Sequence, residues 1–185
     1  MSNEIQINDT LLNISGTSIS TGIVCGQYAC RNIPISVHSF GQIKNIFNSL
    51  GLNSVITNEM DINYYLTDWK SIQKIIEKVF IVLHKIMRYL ADRLDCDNFA
   101  WFASTLAGWI SKSNSLGEAY GDVFNATTGE HLFPHHFNLP LVYENGIFSI
   151  YCFDFLNADG WIKLEPNKEI VMGNWRYKII KVNYF

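Results

Sequence analysis

At 185 residues the chain is long enough to bury a substantial core and short enough to be one domain. Hydrophobic residues make up 48% and aromatics 14%, which excludes an intrinsically disordered chain. With 14 Lys and Arg against 17 Asp and Glu, the formal charge is -3 with no basic run, which excludes the electrostatic footprint of a nucleic-acid binder or a polybasic membrane patch.

The first residues, MSNEIQINDT, carry neither a basic segment nor an apolar stretch of signal-peptide length, and no later window reaches about 18 consecutive apolar residues. The expectation is a soluble chain that is not exported and works in the cytoplasm. Cys25, Cys30, Cys96 and Cys152 form no CxxC pair, so neither a disulfide scaffold nor a zinc knuckle is signalled. A reducing compartment fits that usage.

Residues 1–35 are rich in Ile, Thr, Ser and Asn and are broken by Gly16, Gly22 and Gly26, which reads as short strands or an irregular arm. Ile43, Ile46, Phe47 and Leu50 fall at helical spacing before Gly51, and predict a short helix from Phe40 to Leu50. A longer helix begins at Thr67 or Asp68 and runs to Leu90, with Trp69, Ile72, Ile75, Ile76, Val79, Phe80 and Leu83 on its apolar face. Another begins near Asp95 and continues through Phe99, Phe102, Ala103, Leu106 and Trp109. Beyond Ser111 the texture changes. Gly117, Gly121 and Gly129 break the chain, His136–Tyr143 and Gly146–Phe155 read as strands joined by Glu144-Asn145-Gly146, and Trp161–Leu164 and Trp175–Phe185 supply further strands. Helices first and an antiparallel sheet second is α+β architecture. The organisation expected is an N-terminal arm or extension over 1–60 and a compact unit over 61–185.

The helix starting near Asp95 puts Cys96 in its first turn. Unpaired amide N–H groups and the positive end of the helix dipole favour a thiolate there, whereas Asp95 and Asp97 oppose it, so a cationic partner is needed. His136 opens the first predicted strand and the hairpin returns Asp154 toward it. A thiol at a helix start, a histidine on one strand and a carboxylate on the next form an arrangement in which a base activates the thiol and a third group orients the base.

The run from Tyr89 through Asp95-Cys96-Asp97-Asn98-Phe99-Ala100, then Gly117-Glu118-Ala119-Tyr120-Gly121, then His136-Phe137-Asn138, resembles papain-like cysteine peptidases of the kind found as the C-terminal domain of fungal agglutinins and in phage and bacterial proteins. The resemblance spans roughly residues 60 to 160. It implies a papain-like or transglutaminase-like fold, with N-terminal helices packed on a C-terminal antiparallel sheet. Cys96 is then the nucleophile, His136 the base, Asp154 the orienting carboxylate, and Tyr89 and Asn138 line the substrate site. It implies hydrolysis of an amide bond in a protein or peptide substrate through an acyl-thioester, no required cofactor, and action in a host cytoplasm if the gene belongs to a phage. A calcium ion at Asp95 and Asp97 is compatible with the family, with helix capping as their competing role.

Two features depart from that family. Its carboxylate is usually a glutamate in a Glu-Pro turn, and here Glu165-Pro166 comes a strand later than Asp154, so both acids stay open as the third member. Leu90 stands where papain has an oxyanion-hole glutamine. These departures keep an alternative alive, a catalytically inactive scaffold acting as a binding or inhibitory module. His131, His135 and His136 with Asp122 or Glu130 are a thin case for a metal, and no metal ligands are assigned. His135 reads as a solvated strand-end residue; Cys25, Cys30 and Cys152 read as structural.

Overall fold

A computed structural model describes residues 33–52, 63–90, 95–157 and 160–183, without the side chains of 84–90. Strand β1 (Ser36–Ser39) leads directly into helix α1 (Phe40–Ser49), and Ser39 and Gln42 form a reciprocal capping box at the junction. Ile43 and Phe47, one helical turn apart, are the buried residues of α1, and Gly51 follows with φ 79°. Strand β2 (Asn63–Leu66) pairs antiparallel with β1.

Asp68 opens helix α2 (Trp69–Leu90), its Oδ1 accepting from the Ser71 N–H at 2.7 Å. Ile72, Ile75, Ile76, Val79 and Leu83 are buried along one stripe, and Phe80, expected on that face, is exposed. Helix α3 (Cys96–Ser111) is more apolar all round and closes on Lys112 in the left-handed conformation. Its small residues Ala100, Ala103 and Ala107 are buried, which lets the helix lie close to its neighbours.

Strands β3 (Leu116–Asn125), β4 (His131–Glu144), β5 (Ile147–Cys152), β6 (Ile162–Lys163), β7 (Ile170–Met172) and β8 (Trp175–Asn183) form one antiparallel sheet in the order β6-β5-β4-β3-β8-β7. The two outermost strands, β6 and β7, also touch, so the sheet nearly closes into a barrel. This corrects the expected papain-like architecture of helices packed on a C-terminal sheet. The sheet dominates; of the three helices of the described residues, α2 and α3 pack on its outer side and α1 contributes to its inner core.

Two cores explain the shape. Ala119, Val123, Phe137, Leu139, Leu141, Ile150, Tyr177, Ile179 and Val182 project into the barrel, where Ile43 and Phe47 of α1 join them. Leu116, Val142 and Phe153 project outward and pack against α2 and α3. Residues 36–49 therefore share the core of the 61–185 portion, and residues 1–32 lie outside the described part. No helix of the described residues is long and apolar enough to cross a membrane.

Strand β3 runs through two of the glycines read as breakers. At Gly121 a Cβ would come within 2.2 Å of the Lys178 carbonyl oxygen, so a glycine inside the strand is what allows β8 to approach at a bulge. The Asn145-Gly146 turn is as expected. Both residues have positive φ, and Glu144 pairs with Ile147 across it, the geometry of a tight primed turn.

Candidate active site

Alternation along β4 sends consecutive residues to opposite faces of the sheet. His136 faces out toward α3, and its Nδ1 lies 2.7 Å from Glu118 Oε1 of β3. The histidine side chain is 26% exposed and the glutamate 10%, so the pair is mostly shielded while the ring keeps an open edge. A His136 tautomer that donates Nδ1–H to Glu118 leaves its lone pair on Nε2, the arrangement a general base requires. Tyr120, directly opposite His136 across the β3–β4 ladder, lies beside it with ring centroids 5.0 Å apart.

Asn138, two residues farther along the same face, fastens the sheet to α3. Its Nδ2 lies 3.0 Å from each of the Ala100 carbonyl, the Ser104 hydroxyl and the Gly117 carbonyl. Its Oδ1 has no hydrogen-bond partner among the described residues, so the amide acts through its donor side. Cys96 is one helical turn before Ala100, about 6 Å, and His136 is two strand residues before Asn138, about 7 Å. The Asp97 carboxyl is held below its ordinary range first by a hydrogen bond with Asp95 and, among smaller causes, by the charge of His136, so the start of α3 lies within the histidine's field. Asp95 is raised, chiefly by the same hydrogen bond, and is the member that holds its proton longer. Cys96 itself is a half-buried free thiol in the first turn of α3.

The remaining expected residues fall elsewhere. Asp154 does not reach His136. It is buried inside the barrel, 2.8 Å from His135 Nε2, and accepts from the Tyr177 hydroxyl at 2.8 Å and from the Leu156 N–H at 2.9 Å. His135, expected at a solvated strand end, is 3% exposed, because the strand begins at His131 and carries it well inside. Asn138, expected to line the substrate site, is fully buried and cannot touch a substrate from there. Glu165 is an exposed turn residue paired with Lys168. Tyr89 lies outside the residues whose side chains are described, as do Cys25 and Cys30. Cys152 is buried, with burial and then the Asp154 charge pushing its thiol well above the usual range, which leaves it unreactive.

Glu118 is the residue that sequence reasoning passed over. It stands in the Gly117-Glu118-Ala119-Tyr120-Gly121 run, and only the antiparallel register, with Glu118 opposite Asn138, brings it diagonally to His136. Among the described residues no three His, Cys, Asp or Glu side chains gather as a metal-holding group.

No protein-family model, no curated protein and no solved structure matches the chain.

Proposed function

We propose that the protein is a thiol-dependent hydrolase of amide bonds in protein or peptide substrates, with Cys96, His136 and Glu118 as its reacting set. His136 Nε2 takes the Cys96 proton and the thiolate adds to the substrate carbonyl. Amide N–H groups at the start of α3 hold the resulting oxyanion. Collapse of that intermediate breaks the C–N bond as His136 returns the proton to the leaving amine, and an acyl-thioester remains. Water, deprotonated by His136, adds to the thioester. The acid departs, and the proton goes back to the thiolate. Glu118 keeps Nδ1 protonated and stabilises the imidazolium formed at each transfer. The chemistry is complete without a cofactor, and a reducing compartment keeps Cys96 free.

The observation that carries this reading is the shielded His136–Glu118 pair standing beside a helix that begins with a free cysteine. Iodoacetamide at neutral pH, with mass-spectrometric readout at each thiol, tests it. Cys96 is expected to alkylate well ahead of Cys152, and a pool of fluorogenic peptide amides is expected to be cleaved by the native chain and not by Cys96→Ala. A Cys96 that reacts no faster than a thiol of the urea-unfolded chain would sink the assignment.

A further inference from the structure

The outer face of the sheet continues past His136 onto β8. Residues directly opposite in an antiparallel pair project to the same side, and the register sets His136 of β4, Tyr120 of β3 and Lys181 of β8 in one row across three strands. Ala119 and Val182, the neighbouring β3–β8 pair, are buried in the inner core, which places Tyr120 and Lys181 outside. Both are half-buried, so the row is accessible but not fully in solvent.

The charges along this row are uneven. Arg176 of β8 is already engaged, 2.8 Å from Glu169 and stacked over Phe124. Lys181 forms no ion pair among the described residues and is the cation on β8 aligned with His136. Asp95 and Asp97 flank Cys96 at the start of α3. Glu118, on β3 between His136 and Lys181, is held by His136, and Lys178, the other lysine of β8 on this face, stands opposite Asp122, which leaves Lys181 as the lysine level with His136.

Resting on the hydrolase reading above, we propose that Lys181 is a specificity-determining residue of the thiol site. It selects peptide substrates bearing a carboxylate two strand spacings, about 10 Å, from the attacked carbonyl, with the intervening chain lying on Tyr120. A flexible lysine suits this role, since its ammonium reaches an anion from several directions while its stem packs on the sheet. At that range the charge is felt through about one Debye length at 0.1 M salt.

The test uses the full chain with fluorogenic peptide amides that differ only in Glu, Gln or Lys at each position near the cleaved bond. The native protein is expected to favour Glu at one position by about tenfold in kcat/KM, expressed in KM, and Lys181→Glu to reverse that preference. Cys96 is also modified with anionic and cationic methanethiosulfonates. Lys181→Glu is expected to lower the anionic-to-cationic rate ratio about threefold or more in low salt, with little effect in 1 M salt. An unmoved ratio, or no position with an acidic preference, overturns the role of Lys181. The reagent ratio reads the local field whether or not Cys96 is a catalyst. Failure of iodoacetamide activation therefore removes the hydrolase reading, and failure of the ratio removes the lysine alone.

Discussion

His135 and His136 are neighbours in β4 yet serve opposite faces of the sheet, His135 bound to Asp154 inside the barrel at 2.8 Å and His136 bound to Glu118 outside at 2.7 Å. One pair is sealed and the other stands half-open beside α3. The same two residue types thus divide into a structural tie and a candidate base with its orienting acid.

That division sets the first prediction. Glu118→Gln keeps the shape but withdraws the charge that holds Nδ1 protonated and the imidazolium stable, so the Cys96 alkylation rate is expected to fall and its pH profile to move. His136→Ala is expected to cost about 10²–10⁴ in amide hydrolysis. Alkylation profiles of Cys96 across pH 5–9 check both. A Glu118→Gln profile superimposable on the native one would remove Glu118 from the set.

Asp154 behaves differently. Asp154→Ala leaves His135 and the Tyr177 hydroxyl without their acceptor in a sealed interior, and a loss of about 3–5 kcal/mol in unfolding free energy is expected. Urea denaturation measures it. Under conditions where the variant is still folded, its Cys96 alkylation should match the native rate, whereas a selective loss of reactivity with stability intact would return Asp154 to the reacting set.

Asn138→Ala removes the donors shared by the Ala100 and Gly117 carbonyls and the Ser104 hydroxyl, at an expected cost of about 2–4 kcal/mol. Because the amide ties α3 to β3 and β4, the variant should also lose Cys96 activation. Ser104→Ala keeps both carbonyl contacts and should retain activation at near-native stability. Full reactivity in Asn138→Ala would show that this tie does not position the thiol.

Asp97 offers a test with a defined sign. Its carboxyl titrates below its ordinary range first through the hydrogen bond with Asp95, which is raised by the same bond, so the bond contributes only while Asp95 holds its proton and Asp97 has lost its own. Asp97→Asn should therefore cost more stability at about pH 4, within the ordinary carboxyl range, than at neutral pH, where two carboxylates face each other. Denaturation at the two pH values reads this directly, and a larger loss at neutral pH would refute it.

Several local features were legible because their causes are local. Asp68 caps α2, Asn145-Gly146 turns the hairpin, and the spacing Ile72, Ile75, Ile76, Val79 marks a buried stripe, each through forces acting within a few residues. Cys96 at the start of α3 belongs to the same group. The papain-like expectation failed where pairing is distant. Strand β3 is buried on both faces and carries Gly117 and Gly121, so it shows neither clean alternation nor strand composition, and its identity depends on β4 and β8 lying against it.

The choice of carboxylate for His136 was decided in the same way. Counting along the hairpin suggests Asp154, but a one-residue step in a strand exchanges inside for outside. Chain order alone does not reveal that His135 takes Asp154 while His136 is left for Glu118. The residues and their local conformations belong to the sequence. Which acid meets which histidine belongs to the register of the sheet, because the pairing of strands decides which side chains lie opposite one another and on which face.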